Sequence, residues 1–88
     1  MTDEQIFEEL RSICVLLLGA DAVTLTLDTD LRRDLKADSL ELAELAVSAE
    51  DRFGLILDFD AAMRLQTMAD AVSLVRAALD RDRPVRAG

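Results

Sequence analysis

Histidine, tryptophan and tyrosine are absent from this chain, cysteine and proline occur once each, and glycine occurs three times. Each gap removes a class of chemistry. Without histidine, the usual general base and the commonest metal ligand are both missing. A lone cysteine, Cys14, makes neither an internal disulfide nor a paired-thiol redox or zinc site. Positive charge is also scarce: 10 Lys and Arg stand against 18 Asp and Glu, for a net charge of -8. That balance argues against nucleic-acid backbones, which need a basic face, and points to basic partners met through electrostatic complementarity. The longest apolar run, Ile13 to Ala20, is too short to span a membrane. The N-terminal Met1-Thr2-Asp3-Glu4 lacks the basic start of a signal peptide. The expectation is a small monomeric protein of a reducing cytoplasm, poorly equipped to be an enzyme alone.

What is present suits a single folded domain. The chain has 88 residues, of which 51% are hydrophobic and 32% charged, well away from the composition of disorder. A chain this short buries only about 60% of its unfolded surface, so its core is small. Ile6, Leu10, Ile13, Cys14 and Leu17 recur at helical spacing after Thr2, a natural N-cap, and Gly19 marks the helix end. Cys14 lies in that apolar stripe and reads as a packing residue.

From Gly19 to Ala37 the helical period is lost. Val23, Leu25 and Leu27 alternate like a short strand, but no second strand offers a pairing partner. Leu25, Leu31 and Leu35 are expected to peg this long connection to the core. Then Asp38-Ser39-Leu40-Glu41 reads as a capping box. Behind it Leu42, Leu45, Ala46, Ala49 and Phe53 form an apolar face ended by Gly54. A short capped segment is expected after Asp60, with Ala62, Met63 and Leu65. A last helix begins at Thr67, boxed with Asp70, and places Met68, Ala71, Val72, Val75 and Leu79 on one face. The period fails again after Asp80, so residues 81–88 read as a disordered tail. The predicted architecture is all-α: a small four-helix bundle over residues 1–80, with three main helices, one short helix and a long loop between the first two.

Most catalytic and metal readings fail on inspection. Asp28-x-Asp30 resembles the start of a calcium loop, but that register puts Arg32, Arg33 and Ser39 where an oxygen ligand, a glycine and a bidentate glutamate are needed. Paired carboxylates for glycoside chemistry would need a deep pocket, which so small a bundle is not expected to have. Ser39 has no histidine to activate it and no GxSxG turn. What distinguishes it is position, in the first turn of a helix, after a long loop and ahead of a run of acids.

The stretch Asp34-Leu35-Lys36-Ala37-Asp38-Ser39-Leu40-Glu41-Leu42-Ala43-Glu44-Leu45, followed by Glu50-Asp51-Arg52-Phe53-Gly54, resembles the acyl carrier protein family. The likeness runs from about Ile6 to Leu79. It implies that Ser39 carries a covalent 4'-phosphopantetheine arm whose thiol holds acyl groups as thioesters, in fatty-acid or polyketide biosynthesis. It further implies a phosphopantetheinyl transferase, and acyl-loading, condensing and processing enzymes with basic docking patches. The partner face it implies comprises Asp38, Leu40, Glu41, Ala43, Glu44, Val47, Glu50 and Asp51, with Glu41, Glu44 and Asp51 facing outward. An aminoacyl or peptidyl carrier is the alternative cargo class, and a helical adaptor without an arm is the alternative of a different kind. Nine arginines to one lysine, with abundant alanine, suit a GC-rich bacterial genome. One departure stands out. Family members commonly have glycine after the leucine corresponding to Leu35, whereas this chain has Lys36. The expectation is that the loop relaxes to a negative φ there, leaving Lys36 to tune which transferase or partner is accepted.

Overall fold

Four helices form where the caps and apolar stripes direct them. A computed structural model describes residues 1–81 and places α1 at Asp3–Leu18, α2 at Ser39–Phe53, α3 at Phe59–Met63 and α4 at Met68–Arg81. Thr2 caps α1 in a reciprocal box with Gln5, and Gly19 closes it at φ +65°. Gly54 ends α2 in the same left-handed conformation, at φ +66°, which glycine adopts without a Cβ clash. Thr67 and Asp70 exchange bonds at the start of α4, the Thr67 Oγ1 accepting from the Asp70 N–H at 3.2 Å.

Two boundaries differ from the sequence expectation. The short helix α3 starts at Phe59 under the cap of Asp58, whose carboxylate accepts the Ala61 N–H at 2.9 Å; Asp60 instead lies inside the first turn. Helix α4 includes Arg81, and the rest of the expected tail lies outside the described residues.

Helix α1 packs against α2 and α4, while α3 packs against α2 and α4. The core between them holds Ile6, Leu10, Leu31, Leu42, Met68 and Val75, all fully buried. Each such side chain contributes about 1.5–3 kcal/mol through burial. Cys14 is buried among them, 3.9 Å from the Met68 sulfur, and loss of solvation pushes its thiol pKa up to about 11. Arg52 pairs with Glu9 at 2.6 Å and Arg76 with Asp3 at 2.9 Å, tying α2 and α4 to α1. Exposed pairs of this kind add at most about 1 kcal/mol.

The long connection between α1 and α2 is pegged as its leucines suggest. Leu25 and Leu31 are buried and Leu35 packs half-buried, whereas Val23 and Leu27 are exposed. Its backbone also completes α4. The Met68 N–H donates to the Thr29 carbonyl at 3.0 Å and the Ala69 N–H to the Leu27 carbonyl at 2.9 Å. Two first-turn amides that a helix cannot satisfy internally thereby find partners. Among the described residues no strand forms; an isolated bridge joins Asp30 to Thr67.

Candidate functional site

Ser39 is the first residue of α2, and the connection before it is fixed from both sides. Leu31 is fully buried, its N–H donating to the Gln66 carbonyl at 2.8 Å. Its own carbonyl accepts the Ala37 N–H at 3.0 Å, which closes residues 31–37 into a compact turn. Within it the Asp34 carboxylate accepts the Asp30 N–H at 2.8 Å, and the Asp30 carboxylate accepts the Arg33 N–H at 2.7 Å. These carboxylates therefore serve the turn. Among the described residues no group of three His, Cys, Asp or Glu side chains is placed to hold a metal ion.

Ala37 is buried and Lys36 is exposed with φ +57°. The expected relaxation to a negative φ has not occurred. Half-buried Leu35, its N–H donating to the Asp30 carbonyl at 3.2 Å, fixes the chain before Lys36; buried Ala37, bonded to the Leu31 carbonyl, fixes it after, and the residue between takes the left-handed turn. For a residue with a Cβ that conformation costs about 1–2 kcal/mol.

Asp38 has extended backbone and caps α2. Its carboxylate accepts the Glu41 N–H at 2.8 Å, and the Glu41 carboxylate accepts the Asp38 N–H at 3.2 Å. This reciprocal box leaves Ser39 free to face solvent: it is exposed, and among the described residues no hydrogen bond engages its hydroxyl. The hydroxyl thus stands at the positive end of a 15-residue helix.

The acidic side of α2 divides into two groups. Leu40, Glu44, Val47 and Asp51 are exposed, and their spacing of four, three and four puts them on one stripe running down from Ser39. Leu40 and Val47 are large apolar residues left 69% and 58% exposed. The second group is half-buried and partly committed to structure. Glu41 closes the capping box, Ala43 lies at the edge of the stripe, and the Glu50 carboxylate accepts the Leu57 N–H at 2.9 Å. Glu50 therefore braces the turn after α2.

Sequence reasoning overlooked two exposed apolar residues beside that turn, Ile56 and Phe59. A signal for Ile56 was present, since Leu55 and Leu57 on either side are buried and extended backbone alternates faces.

The family model described as "Phosphopantetheine attachment site" matches residues 8–75. The chain is 35% identical over 82 residues to the acyl carrier protein of Petrotoga mobilis, spanning 93% of this chain and 96% of that protein. It is 39% identical over 75 residues to the acyl carrier protein of Exiguobacterium sibiricum, spanning 85% and 95% respectively. The match covers the loop, the capped serine and the helices that hold them, and the chain belongs to the acyl carrier protein family of phosphopantetheine-bearing carriers.

Proposed function

We propose that Ser39 is the attachment point of the 4'-phosphopantetheine arm, and that residues 1–80 form one carrier domain for fatty-acid or polyketide-type assembly in the cytoplasm. The observation that carries this reading is the exposed, unengaged Ser39 hydroxyl at the start of α2. When attached, the arm supplies a terminal thiol on which acyl groups travel as thioesters.

The residues present fit that group. The Ser39 hydroxyl projects from a helix end whose amide dipoles favour an anionic phosphodiester. Asp38 and Glu41 offset part of that benefit, but each carboxylate is occupied by a backbone amide. With no histidine in the chain, activation of the hydroxyl falls to a phosphopantetheinyl transferase that draws the arm from coenzyme A. The protein itself has no enzymatic role in this reading. It holds the cargo on a rigid element and presents it to visiting active sites, where tethering raises the effective concentration.

Docking falls to the exposed stripe Leu40, Glu44, Val47 and Asp51, with Asp38, Glu41 and Ala43 at its edges. Glu50 contributes charge beside the stripe while bracing the loop. An acidic stripe with apolar residues in it suits brief, salt-sensitive contact with basic patches on loading and condensing enzymes. Coexpression with a broad-specificity transferase tests the reading. The protein should gain the mass of one arm and Ser39→Ala none; a gain in the variant overturns the assignment.

A further inference from the structure

The chain is strongly acidic, yet three arginines line one cleft. Arg32 and Arg33 from the first loop meet Arg64 from the end of α3, with Gln66, around an open space of about 660 Å³ whose single acid is Asp30. The three guanidinium groups are only lightly committed. Arg32 donates to the Met63 carbonyl at 3.3 Å, and Arg33 pairs with Asp34 at 3.5 Å while largely exposed. Arg64 is exposed, and among the described residues no ion pair or hydrogen bond engages its side chain. The Asp30 carboxylate is occupied by the Arg33 backbone amide, which leaves it facing its own turn.

Three cations thus line one cleft of a chain that carries 18 acids. Planar guanidinium forks match phosphate oxygens through paired, charge-assisted hydrogen bonds, and Gln66 adds an amide donor. A backbone hydrogen bond ties the cleft's loop to the segment that carries Ser39. Leu31, next to Arg32, accepts the amide of Ala37, two residues before Ser39. From these observations we infer that Arg32, Arg33 and Arg64 form a binding site for phosphate esters, and that it holds coenzyme A phosphates while the Ser39 oxygen bonds to the pantetheine-bearing phosphorus, the pyrophosphate P–O bond breaks, adenosine 3',5'-bisphosphate leaves and the hydroxyl proton passes to the transferase. The assignment to coenzyme A rests on the Ser39 reading above; the anion site does not.

The test uses the full-length Ser39→Ala protein, which keeps the cleft and takes no arm on Ser39. Nitrogen-15 NMR follows the arginine Nε–H signals during titration with coenzyme A, dephosphorylated coenzyme A, inorganic phosphate and pantetheine. Coenzyme A should shift the signals of Arg32, Arg33 and Arg64 with a millimolar or tighter Kd, pantetheine should shift none, and removing the 3'-phosphate should weaken binding. Arg64→Gln should loosen coenzyme A about three- to tenfold, and Arg64→Lys should recover only part of that. An unchanged backbone spectrum in the variants separates this loss from misfolding. Equal affinity for inorganic phosphate and coenzyme A would overturn the donor assignment, and absence of any arginine shift would overturn the site. Mass analysis of the Ser39-containing protein reports separately on arm attachment, so the two readings fail independently.

Discussion

The Glu50 carboxylate accepts the Leu57 backbone N–H at 2.9 Å, so a residue of the acidic second helix holds the turn that leads into α3. Leu57 is buried, and its amide would lack a partner without that acid. Glu50→Ala should therefore destabilise the protein by about 1–2 kcal/mol, read as a lower urea midpoint. A fully stable Glu50→Ala variant would show that water replaces the carboxylate without loss.

Glu44 differs, being exposed on the stripe below Ser39. Glu44→Lys should leave stability within about 0.5 kcal/mol and slow loading by a cognate enzyme at low salt. Added salt should narrow the gap between variant and wild type, because exposed charges are screened beyond about 8 Å at physiological ionic strength. Equal loading of both proteins at low salt would move docking off this stripe.

Lys36 takes a left-handed backbone conformation at φ +57°. Lys36→Gly relieves about 1–2 kcal/mol of strain and adds about 0.5–1 kcal/mol of unfolded-chain entropy. The net should be a gain of between zero and about 1.5 kcal/mol in urea unfolding. A clear loss would mean that the lysine side chain anchors the loop.

The caps were legible in the sequence because a capping side chain answers to its own backbone three residues away. Thr2, Asp38 and Thr67 are legible on that basis, and Gly19 and Gly54 through the left-handed φ that glycine adopts without a Cβ clash. The leucine pegs Leu25, Leu31 and Leu35 were legible too, although bulk alone does not single them out, since Val23 and Leu27 of the same loop stay exposed. Three features depended on distant partners and were not. The cap of α3 falls at Asp58 rather than Asp60 because Glu50 and the burial of Leu57 fix where the chain leaves the turn. The backbone of Lys36 follows from the Ala37–Leu31 bond. The arginine cleft joins loop and α3 residues far apart in sequence, brought together by the Leu31–Gln66 and Arg32–Met63 bonds.

Cys14 supplies a pH test of the core. Burial pushes its pKa from the ordinary thiol value near 9 up to about 11. The unfolded chain therefore loses the thiol proton first as pH rises. This contribution to stability is fully present below pH 9 and falls away between about pH 9 and 11, amounting to about 2–3 kcal/mol over the whole window. Cys14→Ala should flatten that part of the stability profile while lowering stability at neutral pH. A wild-type profile that stays flat through the window would contradict the burial. Thiol reagents at pH 8 should react with Cys14 only as fast as the protein unfolds.

Asp38 and Ser39 at the start of α2 separate structure from chemistry. Asp38→Ala removes the cap and should cost about 1 kcal/mol, whereas Ser39→Ala should leave the urea midpoint almost unchanged, since Asp38 and Glu41 make the box. A large stability loss from Ser39→Ala would give the serine a structural role that the geometry does not assign.

The central claim is the position of the arm, and fragmentation mass spectrometry of the modified protein tests it most directly. Cleavage after Lys36 and Arg52 releases residues 37–52, which contain two serines, Ser39 and Ser48. Ser39 is exposed at the start of α2 and Ser48 is half-buried within it. The account predicts the arm on Ser39 alone, with every fragment beginning after that residue unmodified. An arm carried on Ser48, or on any residue outside 37–52, would contradict it.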